Sequence, residues 1–492
     1  MGDAGESENT THQVKKLDLD DLKHFRDRFD IPLSDSELEA VPYYRPPSDS
    51  PEMVYMLEQR EKLGGPIPSR IAAPSGFDIP SLEYLDNLLQ GGGERKFSTT
   101  MGFVRILSTL LRDESIGKRI VPIVPDEART FGMEGMFRQL GIYSSEGQLY
   151  EPVDAGELTA YRESKDGQVL EEGINEAGAF AAWLAAATSY STNQYTLIPF
   201  YLFYSMFGFQ RVGDLAWAAG DMQARGFLLG ATSGRTTLNG EGLQHQDGHS
   251  HLLSGAVPNC VSYDPCYAYE LAVIVQDGLR RMYVEDERIF YYITLMNENY
   301  IQPAMPEGAA SGILRGMYEL MSFDSSKSAR KIRLLGSGAI LNEVTKASSR
   351  LKRDYGVDSE VWSVTSFTEL ARDGHDVARW NMLHPAEDSR RSYVSECLDG
   401  DIPVVAATDY VKLYAESIRA FHAAPYRVLG TDGFGRSDTR EQLRGFFEVD
   451  ERFITLAALT ELASAQVIAE TDVEDAIEEM GIAPDKPNPR RS

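Results

Sequence analysis

The chain has 492 residues, which is enough for about three domains of ordinary size. Hydrophobic residues make up 42% of it, and 48 Lys and Arg residues stand against 75 Asp and Glu residues, for a net charge of −27. This charge argues against non-specific binding to nucleic acids or anionic membranes, because both require a basic face.

Cysteine usage and hydropathy indicate a soluble, cytoplasmic protein. Cys260, Cys266 and Cys397 have no CxxC spacing and leave an odd thiol, which is typical of a reducing compartment. The N-terminal stretch lacks the apolar centre of a signal peptide. The most apolar run, residues 197–209, is shorter than the roughly 20 residues that span a bilayer. We expect no membrane partner.

The first predicted elements follow a polar N-terminal segment. Residues 1 to about 70 are broken by prolines, and we predict an extended segment with one short helix at LDDLKHFRDRF. From about residue 98 helices and strands alternate: helix TTMGFVRILSTLLRD, strand RIVPIVP, helix GINEAGAFAAWLAAATSY, strand TLIPFYLFY, helix FQRVGDLAWAAGDMQA, strand GFLLGATSG, strand NCVSYDP, helix AYELAVIVQDGLRRMY and strand RIFYYITLMN. This alternation predicts a mostly parallel sheet with helices on both faces.

A second alternating set follows the prolines and glycines of PAMPEGAASG, which mark a domain boundary. Its segments are KIRLLGSGAI, LNEVTKASSRLKRDYG, SEVWSVTS, IPVVAATDY, YRVLGTD and a helical C-terminus. We therefore predict an α/β protein with two doubly wound domains. The expected bounds are 1–70 for the N-terminal segment, 71–305 for the first domain and 306–492 for the second.

The stretch GEGLQHQDGHSH, residues 240–251, gathers three of the eight histidines with two carboxylates. It is predicted to be a loop between elements. A zinc site is one hypothesis, although no HExxH motif is present. Structural histidines in a glycine-rich turn are a second. A polar catalytic loop is the third and is favoured, because clustered titratable groups on a loop held by a rigid sheet are typical of active sites.

Other polar groups stand at predicted element ends. Glu176 begins a strongly apolar helix, where it either interacts with the helix dipole or acts as a buried functional acid. Asp126 and Glu127 follow a buried strand, at the sheet edge where ligands of parallel sheets bind. The glycines of LLGSGAI and GTDGFGRSD indicate tight turns, because neither stretch carries the Lys-Ser/Thr pair of a phosphate-binding P-loop.

Several long motifs together resemble one family. They are PDEARTFGMEGMFRQLGIYS, EGINEAG, YSMFGFQRVGDLAWAAGD, TSGRTTLNGEGLQHQDGHSH and VTSFTELARDG. They resemble the homodimeric type of pyruvate dehydrogenase, the thiamine-diphosphate-dependent decarboxylating component of the pyruvate dehydrogenase complex. The resemblance covers essentially the whole chain. It implies a transketolase-like pyrimidine-binding domain followed by a transketolase C-terminal domain, with thiamine diphosphate as cofactor.

The chain departs from that family in one respect. The family enzyme is about twice as long, and its first half holds magnesium and diphosphate with a GDG motif; this sequence contains no GDG triplet. We therefore expect Mg²⁺ to be held by a companion subunit that carries the GDG domain, in a hetero-oligomer such as a heterotetramer. The lipoyl domain of an acyltransferase is a further expected partner.

The resemblance also implies roles for residues on the cofactor side. Glu176 would hydrogen-bond the ring nitrogen of the aminopyrimidine and favour its reactive tautomer, since in such enzymes the protein tunes the cofactor's chemistry. Phe207 would stack on this ring, and Ile174 would support the bent shape of the cofactor. Asp126 and Glu127 would lie near the pyrimidine.

On the substrate side, the resemblance places Tyr204, Glu241 and His245 near the thiazolium. His12 matches a histidine on a mobile loop that assists acyl transfer to lipoamide. His249 and His251 would support the loop. The histidine cluster is then a proton-handling loop rather than a metal site, and we expect no metal ligands in this chain.

The resulting expectation is a subunit of a split thiamine-diphosphate-dependent 2-oxo acid dehydrogenase, with pyruvate as the default substrate. A transketolase-like carboligase subunit that transfers an acyl or ketol unit is one alternative. A non-catalytic regulatory or scaffolding protein is another. The intact GINEAG and GEGLQHQDGHSH motifs favour the enzyme, because every polar group expected on this side of the site is present.

Overall fold

A computed structural model describes residue 9 and residues 16–66, 77–125, 128, 131–151, 161–323 and 330–492. The chain forms two compact units, Met1–Arg70 and Ile71–Ser492. None of the helices in these ranges combines the length and the apolar character that crossing a lipid bilayer requires.

The described residues of the N-terminal unit form the helices α1 (Leu19–Arg28), α2 (Asp35–Leu38) and α3 (Pro51–Lys62). The sequence predicted α1 but an extended chain elsewhere, so α3 differs from that prediction. Its proline stands in the first turn, where a helix leaves N–H groups without partners and the fixed φ of proline is already helical. The proline-rich stretch therefore starts a helix instead of preventing one.

The larger unit begins with a domain built on a six-stranded parallel sheet. The strands of this part of the chain are β1 (Lys96–Phe97), β2 (Ile120–Val124), β3 (Ile142–Tyr143), β4 (Glu163–Ser164), β5 (Leu170–Glu171), β6 (Ile198–Tyr204), β7 (Phe227–Ala231), β8 (Cys260–Tyr263), β9 (Phe290–Thr294) and β10 (Tyr300–Ile301). The helices are α4 (Asp86–Leu89), α5 (Thr99–Leu110), α6 (Glu134–Leu140), α7 (Glu176–Ala187), α8 (Ser189–Thr192), α9 (Ser205–Asp221), α10 (Ser250–Gly255), α11 (Ala268–Tyr283) and α12 (Ala309–Arg315). The main sheet has the order β5-β2-β6-β7-β9-β8.

Both faces of this sheet are covered by helices, which explains the unbroken apolar run of β6. Successive side chains of a strand point to opposite faces. Phe200 and Leu202 accordingly join one core cluster with α5 and α11, while Tyr201 and Phe203 join another with α7 and α9. Helix α9 begins directly after β6, four residues before the predicted start, so the end of the strand and the first helical turn are adjacent.

The second domain contains a five-stranded sheet of order β11-β13-β12-β14-β15. Its strands are β11 (Met317–Ser322), β12 (Lys331–Gly336), β13 (Asp358–Val364), β14 (Val404–Ala407) and β15 (Tyr426–Leu429). Its helices are α13 (Ile340–Tyr355), α14 (Phe367–Leu383), α15 (Tyr393–Cys397), α16 (Lys412–Glu416), α17 (Arg440–Phe447), α18 (Glu451–Ser464) and α19 (Glu470–Glu479). Edge strand β11 is antiparallel and the other pairs are parallel. The predicted α/β class with mostly parallel sheets is confirmed.

The two sheets share a hydrophobic core. One cluster of buried residues includes Ile274 of α11 from the first domain and Leu334 and Val344 of β12 and α13 from the second. Polar groups that lie between the domains are therefore buried, and their hydrogen bonds must come from within the protein.

The LLGSGAI stretch forms the tight strand-to-helix turn that the sequence predicted. Strand β12 ends at Gly336 and α13 starts at Ile340. Gly338 has a φ of +50°, and a Cβ placed on it would lie 2.8 Å from Asp264 Oδ2. The glycine is needed for a close approach between the two domains.

Candidate active site

The predicted site residues follow the carboxyl ends of β5, β6 and β7, three strands on one side of the main sheet. They are Ile174 and Glu176 after β5, Tyr204 and Phe207 at the junction of β6 with α9, and Glu241 and His245 after β7. Ligands of parallel α/β sheets bind at this edge. Three other predicted residues, His12, Asp126 and Glu127, lie outside the described residues.

Three aromatic rings form the centre of this site. The ring of His245 lies 5.3 Å from that of Tyr204 and 5.0 Å from that of Phe207, measured between centroids. Phe207 and Tyr204 are 6.1 Å apart. All three side chains are half-buried. Such a cluster offers an apolar surface on which a flat ring can pack, with one titratable nitrogen-containing ring beside it.

Glu176 occupies the first position of α7 and has a cationic partner. Its Oε1 accepts a hydrogen bond of 2.6 Å from Arg211 Nη1. The guanidinium carbon of Arg211 lies 4.3 Å from the centroid of Phe207, within cation–π distance. The Glu176 side chain is 16% exposed. Glu176, Arg211, Phe207, His245 and Tyr204 therefore form one continuous set of contacts.

Arg211 was not singled out from the sequence. It lies four residues after Phe207 on α9, so the two side chains share a helix face. That spacing was a usable signal for their contact. The ion pair with Glu176 had no local signal, because the two residues are 35 positions apart.

The histidine-rich stretch is more structured than the predicted loop. Residues Leu243–His245 form a 3₁₀ turn, and α10 begins at Ser250, so His251 belongs to a helix. The physical reason is Asp247, whose Oδ1 accepts from the backbone N–H of His249 at 2.9 Å and of Ser250 at 3.0 Å. A carboxylate in this position satisfies the free N–H groups at a helix start.

His251 is a buried core residue. Its Nδ1 lies 2.7 Å from Ser262 Oγ and its Nε2 lies 3.0 Å from Thr294 Oγ1. Burial lowers the pKa of His251 to about 3. It is thus a neutral residue within the fold and lies away from the aromatic cluster.

His245 differs from His251 in its hydrogen bonding. Within the described part of the chain, its buried Nδ1 has no hydrogen-bond partner. An unpaired polar atom of this kind is unfavourable unless something else supplies a partner. No group of three or more His, Cys, Asp and Glu side chains in the described residues is arranged to hold a metal ion.

Two of the predicted residues are exposed. The side chain of Ile174 is 77% exposed, and Glu241 is also exposed. Single exposed apolar residues are common on protein surfaces, so this exposure alone indicates no covering partner.

Two family descriptions match the chain. The pyruvate dehydrogenase E1 component middle domain matches residues 77–303, and the transketolase-like C-terminal domain matches residues 316–450. The first range contains the aromatic cluster and Glu176, and the second contains most of the five-stranded sheet.

Curated relatives cover nearly the whole chain. The pyruvate dehydrogenase E1 component of Pseudomonas aeruginosa is 59% identical over 488 residues, and that of Escherichia coli is 57% identical over 493 residues. These alignments include 99% and 100% of this chain but only 55% of each relative. The chain therefore spans about half the length of the relatives it matches.

Solved structures support the fold. A transketolase from Leishmania mexicana superposes with a TM-score of 0.57 at 16% identity, covering 92% of this chain and 55% of that one. A transketolase from Pichia stipitis gives 0.59 at 14% identity, with 92% and 60% covered. At such identities the likeness extends to the fold and no further.

Proposed function

The chain carries a pyruvate dehydrogenase E1 component middle domain followed by a transketolase-like C-terminal domain, and we propose that it supplies the pyrimidine side of a thiamine-diphosphate active site for 2-oxo acid decarboxylation. The supporting observation is the contact set in which Glu176, Phe207 and His245 lie together at the carboxyl edge of the sheet. A carboxylate, a stacking ring and a proton-transferring ring are the groups that such a reaction needs.

The described residues fit one half of the cofactor. Phe207 offers a half-buried ring for the pyrimidine, and Glu176 offers a carboxyl oxygen for a ring nitrogen. The Nδ1 atom of His245, which is without a partner in the described residues, is a further group that a bound molecule could satisfy. When bound, thiamine diphosphate supplies the centre that stabilises the carbanion left by decarboxylation.

Each residue of this chain then has one task. Glu176 would hydrogen-bond the pyrimidine nitrogen and exchange a proton with it, and Arg211 holds the carboxyl group in place through its 2.6 Å hydrogen bond. Phe207 orients the ring, with Ile174 beside it. His245 moves a proton on the substrate side, assisted by Tyr204 and Glu241, in the manner of a general acid–base.

We propose that the diphosphate half of the cofactor is held elsewhere. The sequence lacks a GDG triplet, and the described residues offer no cluster of metal ligands. Mg²⁺ needs oxygen ligands in a near-ideal octahedral arrangement, together with the diphosphate. We therefore assign diphosphate and Mg²⁺ to a companion polypeptide, with which this chain forms a hetero-oligomer.

Reconstitution tests the proposal. The part of the Pseudomonas aeruginosa relative that this chain does not match would be produced as a separate polypeptide and mixed with this chain, thiamine diphosphate and Mg²⁺. Release of CO₂ from pyruvate, with an artificial electron acceptor present, is the measurement. We expect turnover from the mixture and none from either polypeptide alone.

Other outcomes separate the alternatives. Formation of a hydroxyketone from pyruvate and an added aldehyde, in place of oxidation, would identify a carboligase. A stable complex that binds the cofactor but releases no CO₂ from any 2-oxo acid of a panel would contradict the enzymatic proposal and favour a scaffolding role. Acyl transfer to an isolated lipoyl domain would identify the expected acceptor.

A further inference from the structure

Residues 232–249, between β7 and α10, form an excursion whose two ends contact one short segment of the second domain. At the first end, Thr236 and Thr237 bind the side chain of Asp409. At the other end, the carbonyl of Gly248 accepts a 2.7 Å hydrogen bond from the N–H of Val411. Two positions in the chain after β14 thus close the excursion that carries Glu241 and His245.

Asp409 is completely buried and saturated with donors. Its Oδ1 accepts from the N–H of Thr236 at 2.8 Å and from the hydroxyl at 2.7 Å. Its Oδ2 accepts from the N–H of Thr237 at 3.0 Å and from the hydroxyl at 2.6 Å. Burial raises the pKa of Asp409, whereas the hydrogen bonds from Thr236 and Thr237 lower it. All four donors donate to the carboxyl oxygens, and four donors fill the acceptor capacity of an ionised carboxylate.

The backbone of the excursion is shaped for this carboxylate. Gly234 has a φ of +89°, and a Cβ at that position would lie 2.4 Å from Asp409 Oδ2. A side chain there would both strain the backbone and displace the carboxylate. The next residue also contributes, because Arg235 Nη1 donates a 2.6 Å hydrogen bond to the carbonyl of Thr431.

Between its fixed ends the excursion has little packing of its own. Residues 239–244 are all exposed, whereas residues 231–238 and 246–248 are buried. Gln246 closes the base, since its Nε2 donates to the carbonyl of Leu238 at 2.9 Å and its Oε1 accepts from the N–H of Arg436 at 2.5 Å. Within the exposed turn, the N–H of Gly240 donates to the carbonyl of Asp438 at 3.2 Å, whereas the anchors at the base make more hydrogen bonds. The place of His245 over Phe207 therefore depends mainly on the anchors at the base.

We propose that Asp409, from the second domain, is a positioning residue for His245: it fixes the base of the excursion and thereby holds the imidazole against Phe207 and Tyr204. This inference rests on the proposed function for its catalytic meaning. Its structural part, that Asp409 orders residues 238–248, can be tested without any measurement of enzymatic activity.

A matched control exists in the same chain. Glu270 is also fully buried and also accepts from two backbone N–H groups and two hydroxyls. Its donors are Cys266 N at 2.6 Å, Tyr267 N at 2.9 Å, Tyr318 OH at 2.6 Å and Ser363 Oγ at 2.6 Å. Glu270 likewise joins the first domain to the second, but none of its four donors belongs to residues 232–249. A general loss of stability should affect both sites equally.

The experiment compares Asp409→Asn with Glu270→Gln in the whole chain. Hydrogen–deuterium exchange of peptides covering 238–248 reports the order of the excursion. Imidazole NMR signals, with that of His245 identified by His245→Gln, report the surroundings of the ring. We expect Asp409→Asn to speed exchange in 238–248 at least about 10-fold, since hydrogen bonds to charged groups are the strong ones, and to shift the His245 signal. Glu270→Gln should lower the melting temperature without either change.

Equal exchange of 238–248 in the two variants, or an unmoved His245 signal in Asp409→Asn, would overturn the proposal. If Asp409→Asn does not fold, Thr237→Val removes one of the hydroxyl donors to Asp409, and Ser363→Ala removes one of the hydroxyl donors to Glu270 as its control. We expect Thr237→Val to speed exchange in 238–248 as Asp409→Asn does, but by a smaller factor. In the reconstituted enzyme we expect kcat to fall with KM for the 2-oxo acid nearly unchanged. Absence of turnover in the wild type would count against the proposed function alone, because the exchange data remain decisive for Asp409.

Discussion

At Glu176 two physical roles compete, and one substitution separates them. A glutamate at a helix N-terminus stabilises the fold by about 1 kcal/mol or less through the helix dipole. A glutamate that exchanges a proton with the cofactor ring contributes about 100- to 10,000-fold to the rate. The two roles predict different quantities, one a melting temperature and the other a turnover rate.

We therefore predict that Glu176→Gln leaves the melting temperature nearly unchanged and lowers kcat of the reconstituted enzyme about 100- to 10,000-fold. The amide keeps the volume and one acceptor oxygen but cannot give up a proton. Asp214→Asn, an exposed change on α9, is the control and should alter neither quantity. Near-normal turnover of Glu176→Gln with the cofactor bound would remove this residue from the mechanism.

At the residue scale, His251 and Asp264 also form a buried pair, and their pKa values determine how the pair's contribution to stability depends on pH. His251 Nε2 lies 4.0 Å from Asp264 Oδ1, and both side chains are fully buried. Burial lowers the pKa of His251 to about 3 and raises that of Asp264 to about 7. The folded pair thus holds one proton from about pH 3 to 7, and with ordinary values the unfolded pair holds one from about pH 4 to 6.5. Its contribution to stability is nearly independent of pH in that range.

We predict that His251→Gln makes stability fall as the pH rises from about 4 to 7. Asp264 alone then binds a proton more tightly in the folded than in the unfolded state, so stability is lost as the pH approaches the folded pKa. Three pKa units correspond to about 4 kcal/mol at about 1.36 kcal/mol each. Urea unfolding of wild type and variant across this pH range measures the difference, and the double variant His251→Gln/Asp264→Asn should be flat again. Parallel curves for wild type and His251→Gln would contradict the assignment.

At the scale of elements, local sequence signals located most strands and helices but not their long-range contacts. The apolar run of β6 and the amphipathic pattern of α11 are properties of neighbouring residues, so they could be predicted. Helix α3 was not, because prolines can start a helix as well as break one. The bonds from Thr236 to Asp409 join residues 173 positions apart, and no local pattern indicates which buried carboxylate a threonine will meet.

Substitutions at two glycines, one in a turn and one in a helix, test where the backbone requires glycine. Gly338 at the β12–α13 turn has a φ of +50°, and a Cβ there would lie 2.2 Å from Met296 Cε. Gly213 lies in helix α9, and a Cβ there would meet nothing within 4 Å. We predict that Gly338→Ala lowers stability by about 1–3 kcal/mol, while Gly213→Ala raises it by about 0.5–1 kcal/mol. Thermal unfolding of both variants measures these changes. A Gly338→Ala variant as stable as wild type would contradict the prediction that a side chain strains this turn.

At the scale of the whole molecule, we expect this chain alone to bind thiamine diphosphate poorly, because it supplies only half of the proposed cofactor site. On the proposed function the chain supplies only the groups that meet the pyrimidine, whereas diphosphate and Mg²⁺ normally supply much of the anchoring. The described residues contain no group of three or more His, Cys, Asp and Glu side chains arranged to hold a metal ion. The absence of a GDG triplet from the sequence points the same way.

We predict that calorimetry detects no micromolar binding of thiamine diphosphate with Mg²⁺ to this chain alone. Binding should appear when the companion polypeptide is added, and Phe207→Ala should weaken it at least about 10-fold, since stacking on an aromatic ring contributes about 1–3 kcal/mol. The Asp214→Asn variant is the control, because this side chain is exposed on α9 and belongs to no part of the proposed site. Micromolar binding to the isolated chain would contradict the proposal that the site is divided between two polypeptides.

The sequence separation between Thr237 and Asp409 also determines when the Asp409 anchor can form during synthesis of the chain. Thr237 and Asp409 are 172 positions apart, and at about 5–20 residues per second of translation roughly 10–30 s pass between their synthesis. Towards the end of this interval every described strand of the first domain has been made, yet the carboxylate that closes the base of the excursion has not. A ribosome paused before codon 409 would therefore hold a chain in which residues 232–249 lack this anchor.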